Sequence, residues 1–91
     1  MQIENKVNQN QEFRNWLKSL DKKTRKAIRF EIYESCLKDK KKPRYDFNNW
    51  VFNGVRIPYA AKKEIFRIAQ KYDTNIKEFN QLFPNEANRQ S

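Results

Sequence analysis

Residues 47–58 read FNNWVFNGVRIP and hold the chain's only glycine and one of its three prolines. Phe47, Trp50 and Val51 stand at i, i+3 and i+4, the spacing of one helix face. Gly54 falls just past that face, where a helix end calls for left-handed backbone that glycine adopts without a Cβ penalty. Pro58 suits the first position of a new helix, because its missing amide would have no intrahelical partner there. The stretch therefore reads as a helix ending after Trp50, a glycine stop, a short linker and a proline start.

Working outward, the helix opened by Pro58 runs to about Tyr72, with Ala61, Ile65, Ile68, Ala69 and Tyr72 on one face and Lys62, Lys63, Arg67 and Lys71 left to solvent. Asp73 or Thr74 then caps a last short helix carrying Ile76, Phe79 and Leu82, which Pro84 stops. Upstream, Lys38 to Arg44 (KDKKKPR) breaks the helical pattern with charge and then proline, so a turn is expected there. Before it, Asp21 caps a helix running to about Leu37 by accepting from an amide near Thr24. Ile28, Ile32 and Cys36 stack on one side of that helix, and Phe30, Tyr33 and Leu37 on the adjacent side. An apolar arc of half the circumference is wider than an ordinary amphipathic stripe and predicts a central helix. Phe13, Trp16, Leu17 and Leu20 mark a first short helix. No segment alternates with period two, so the fold class is all-α, a bundle of about five short helices over residues 11–83. Residues 1–10 read as a flexible arm and 84–91 as a disordered tail.

The chain has 91 residues, enough for one small domain. Apolar residues make up only 37%, but thirteen are Phe, Tyr or Trp, whose large buried area makes a core feasible. A single cysteine, Cys36, excludes an internal disulfide and fits a reducing, cytoplasmic setting. No apolar run is long enough for a membrane span, and no export signal opens the chain, so no membrane partner is expected. Histidine, the commonest general base and metal ligand, is absent. One cysteine cannot build a zinc site, one glycine cannot build a phosphate-cradling loop, and Cys36 reads as a core residue. The expectation is a non-enzymatic protein with no metal and no cofactor.

Charge carries the functional signal. Twenty Lys and Arg face eleven Asp and Glu, for a net +9, and the segment from Asp21 to Lys71 accounts for all of it, with fifteen basic and six acidic residues. Such an excess raises self-repulsion and serves attraction to a polyanion. Lys22, Lys23, Arg25, Lys26 and Arg29 form one cluster, and Lys40, Lys41, Lys42 and Arg44 a second, with a third run on the long helix. Clusters of this kind neutralise phosphates and release counterions. The loop Lys40 to Arg44, entering a helix start, ranks first among them. Tyr45, Phe52, Tyr59 and Phe66 are candidates for stacking on unpaired bases, or else for completing the core.

The order helix, turn, short helix with Phe47 and Trp50, Gly54, then Ile57-Pro58 opening a long helix with Ile65 and Ile68 resembles the helix-turn-helix family of lambda-repressor-like phage and prophage regulators. The resemblance covers residues 28–70 and implies that the helix from Arg44 to Asn53 enters the DNA major groove. Arg44, Tyr45, Asn48, Asn49 and Asn53 would then face the DNA, and a homodimer is an implied partner state. Asn suits adenine and Arg suits guanine. The family's short glycine-bearing turn is replaced here by Lys38-Asp39-Lys40-Lys41-Lys42. In size and composition the chain also resembles small phage-derived anti-CRISPR inhibitors, which implies as alternative partner an RNA-guided nuclease or its guide RNA. A basic surface meeting an acidic protein is the plainest remaining reading.

Overall fold

A computed structural model describes residues 10–84. Four α-helices follow in chain order: α1 (Gln11–Ser19), α2 (Lys22–Cys36), α3 (Pro43–Phe52) and α4 (Tyr59–Tyr72); a single 3-10 turn, Phe79–Gln81, follows them. Among the described residues there is no strand. The described residues form an all-α bundle with one fewer full helix than expected. The segment around Ile76 closes instead as an extended stretch and one tight turn, held by a reciprocal cap between Glu78 and Gln81. Its apolar residues still reach the core: Ile76, Leu82 and Phe83 are buried.

Local chemistry explains the helix ends. Asp21 accepts from the Thr24 amide at 3.2 Å and starts α2. The Thr24 side chain first, and then this amide bond, hold its carboxyl below the usual range. Pro43 occupies the first turn of α3. That helix runs two residues past Trp50, to Phe52, before Gly54 takes φ 67° and lets the Val55 amide return to the Asn49 carbonyl at 3.1 Å. Pro58 sits one residue ahead of its expected place, as the N-cap of α4, where its carbonyl accepts from the Lys62 amide.

Phe13, fully buried, is the centre of the core. Its ring meets Trp16, Phe47 and Phe83 with centroids 5.6–6.5 Å away, so α1, α3 and the C-terminal segment converge on it. The broadest helix pairing is α2 against α4, where Ile28 and Ile32 on one helix and Ile65, Ile68 and Ala69 on the other are buried. Two polar ties fix the frame. Buried Asn10 donates from Nδ2 to the Trp50 carbonyl at 2.8 Å and the Val55 carbonyl at 2.9 Å, closing the end of α3. Trp16 Nε1 donates to Asp73 at 2.8 Å, tying α1 to the end of α4. Positions 1–9 and 85–91, most of the expected arm and tail, lie outside the described residues.

Two helix faces depart from the sequence reading. Phe30, assigned to the apolar arc of α2, is 62% exposed, so the buried face of α2 is narrower than half its circumference. Lys62, assigned to solvent, is only 6% exposed, with its ammonium 5.4 Å from the centre of the Phe83 ring. Burial of a lysine stem along an aromatic ring is ordinary amphipathic packing.

Candidate nucleic-acid interface

Two adjoining hollows open beside α2 and α3. The first, of about 450 Å³, is walled by Lys23, Lys26, Ala27, Arg29, Phe30, Tyr33 and Arg44. The second, of about 380 Å³, lies where α1 meets these helices; its polar and charged walls are Arg14, Lys18, Arg25, Arg29 and Asn48, over Leu17, Phe47, Val51 and Phe52. Arg29 borders both, so the two hollows adjoin along it, and the pair is termed the trough. Among the described residues seven Lys and Arg line it, and no carboxylate does.

Helical spacing builds this surface. On α3, Arg44, Asn48 and Phe52 recur every four residues and share a face, opposite in role to buried Phe47, Trp50 and Val51. On α2, Lys23, Lys26 and Phe30 recur at the same interval or one shorter, beside Arg29 and Tyr33. Arg14 and Lys18, one turn apart, supply the α1 edge.

The seven cations are not equivalent. Arg25 Nη1 donates to the Leu17 carbonyl at 3.3 Å and the Leu20 carbonyl at 2.9 Å, satisfying groups that the end of α1 leaves open. Arg14 lies over the Phe52 ring, 5.1 Å from its centre, and its Nε is buried with no hydrogen-bond partner among the described residues. Lys18, Lys23, Lys26, Arg29 and Arg44 have no ion pair among the described residues.

Carboxylates with partners stand elsewhere. Glu31, on the α4 side of α2, accepts from the Tyr72 hydroxyl and, at 3.0 Å, from Lys71 Nζ. The Tyr72 bond and then the Lys71 bond hold its carboxyl below the usual range. Glu64 pairs with Arg67 at 2.8 Å. The third basic run, on α4, is thus partly neutralised by the protein itself, and Lys62 within it is buried.

Of the thirteen residues singled out in the sequence, six wall the trough: Lys23, Arg25, Lys26, Arg29, Arg44 and Asn48. Lys22 and Tyr45 are exposed outside its walls. Asn53 caps the end of α3 and donates from Nδ2 to the Asn49 Oδ1 at 2.7 Å, which ties the two side chains together. The loop ranked first divides. Lys40 borders a separate cleft with Cys36, Trp50 and Glu64, and Lys41 and Lys42 are exposed in the linker. Only Arg44 of that group reaches the trough. Sequence reasoning missed Arg14, Lys18 and the exposed Phe30. The signal for the first two was the basic i, i+4 pair on α1, upstream of the segment in which charge was counted.

Other chemistry is sparse. Cys36 is half-buried, which pushes its thiol up to about 11 and makes it a poor nucleophile. Among the described residues no group of three or more Cys, Asp or Glu could hold a metal ion, and no helix is long and apolar enough to cross a membrane. No protein-family model, curated protein or solved structure matches the chain.

Proposed function

We propose that this chain is a non-enzymatic nucleic-acid-binding protein whose contact surface is the trough of α1, α2 and α3. The observation that carries the reading is its lining, seven cations without a carboxylate among the described residues of two adjoining hollows. Gathering like charges in a low-dielectric cleft is unfavourable for the isolated protein and raises the local potential for a polyanion. Phosphodiester chains fit that field, and neutralising them releases counterions.

Two finer forms follow. In a helix-turn-helix regulator, α3 enters the major groove of duplex DNA and flanking lysines hold phosphates. The succession of α2, the linker 37–42 and α3, with α3 packed on α2, supports that form. In an inhibitor of anti-CRISPR type, the trough takes a strand belonging to an RNA-guided nuclease. The placing of the cations supports the second form, because they line hollows beside α3 and a hollow receives a strand more readily than it enters a groove.

Fluorescence anisotropy with labelled single-stranded DNA, single-stranded RNA and duplex DNA tests the common reading. Binding to at least one probe at low salt is expected, weakened by combined Lys23→Glu, Lys26→Glu and Arg44→Glu. No binding to any probe, or binding indifferent to that variant, would refute it.

A further inference from the structure

We infer that the first hollow is a subsite for one unpaired nucleobase, so that the ligand is a single strand with a base turned inward between phosphate contacts. The inference rests on the nucleic-acid reading above and adds the form of the ligand.

Phe30 is the carrying observation. A large apolar ring 62% exposed on a helix is an informative exception, and this one stands in a wall otherwise made of Lys23, Lys26, Arg29 and Arg44. Its ring has no aromatic or cation contact among the described residues. Phe52, the exposed ring of the neighbouring hollow, already carries Arg14 over one face. Phe30 is therefore the ring whose faces remain open to stacking, and base–aromatic stacking tolerates any base because every base has a π-face.

Tyr33 adds an independent observation. Its ring borders the same hollow and meets Phe47 edge-on at 5.8 Å, while its hydroxyl is buried without a hydrogen-bond partner among the described residues. That hydroxyl is closed off from the hollow, so it is the Tyr33 ring that would flank a base lying on Phe30. At about 450 Å³ the space is within the usual ~300–1,000 Å³ of small-ligand pockets. Arg29 and Arg44 then meet the phosphates on either side. Paired bases in a duplex cannot offer a free face to Phe30, so the arrangement selects an unpaired strand.

The test compares three probes of equal length: a base-bearing single strand, the same strand made fully abasic, and the base-bearing strand annealed to its complement. The intact single strand should bind most tightly. Phe30→Ala should weaken it about 5- to 150-fold, the span of one stacking contact, and leave the fully abasic backbone unaffected. Because Phe30 is exposed, thermal unfolding should be unchanged. Equal binding of base-bearing and abasic strands, or no effect of Phe30→Ala, would overturn the subsite while leaving phosphate binding intact. Failure of every probe to bind would overturn both.

Discussion

Neutralising Lys23, Lys26 and Arg44 together should change the salt dependence of binding by an amount the trough itself sets. Five of its seven cations, Lys18, Lys23, Lys26, Arg29 and Arg44, have no ion pair among the described residues, whereas Arg25 holds carbonyls of α1 and Arg14 covers Phe52. If each of the five neutralises one phosphate of a single strand, log K falls with log salt at a slope of about −3.5. Between about 50 and about 200 mM salt that is a loss of roughly 100-fold. With the three residues changed to Gln, two contacts remain, the slope becomes about −1.4, and the same interval costs only about 7-fold. Anisotropy titrations at four or more salt concentrations give both slopes. Lys63→Gln, Arg67→Gln and Lys77→Gln together remove the same charge outside the trough and should leave the slope near the wild-type value. The reasoning is refuted if both triple variants lower the slope equally, because binding would then depend on net charge and not on the trough.

Two further outcomes test the scaffold. Asn10→Ala strips a donor from the buried Trp50 carbonyl and the part-buried Val55 carbonyl and should destabilise the fold by about 2 kcal/mol, read as a fall of roughly 8–16 °C in Tm; an unchanged Tm would show that the clamp contributes nothing. Tyr72→Phe removes the largest cause of the lowered Glu31 pKa, so the Glu31 carboxyl should titrate closer to its ordinary value by NMR. A lowered folded-state pKa stabilises above the unfolded value of about 4.3 and that gain is lost as pH falls through the folded value. The stability gap between wild type and Tyr72→Phe should therefore be full at neutral pH and close in acid, and a gap that widens in acid would contradict the assignment.

How far the sequence revealed this protein depends on the range of the interactions involved. Asp21, Pro43, Gly54 and Pro58 act on backbone groups within a few residues, so they marked the helix ends to within one or two positions. Phe30 and Lys62 were misplaced because the face of a helix that is buried depends on where its neighbours stand. An arc as wide as that of α2 leaves the choice to packing, and α4 and α3 cover Ile28 and Ile32 but not Phe30. Lys62 packs beside the Phe83 ring, which lies just past the 3-10 turn, far along the chain from α4's first turn.

The candidate site was legible in the same partial way. Lys23, Lys26 and Arg29 recur on one helix, so their clustering followed from periodicity. Lys40 is close to Arg44 in sequence, yet the linker turns it toward Cys36 and Glu64 and away from the trough. Neighbours in a charge run need not share a surface when a turn separates them. Arg14 and Lys18 join the trough only through the packing of α1 on α3, a long-range contact that no local pattern encodes.

Lysine acetylation with and without a saturating single-stranded oligonucleotide, read by mass spectrometry, tests the central claim most directly. Bound strand should protect Lys18, Lys23 and Lys26 and leave Lys40, Lys63, Lys71 and Lys77 as reactive as before. Protection spread evenly over both sets, or confined to the lysines of α4, would contradict the trough as the contact surface.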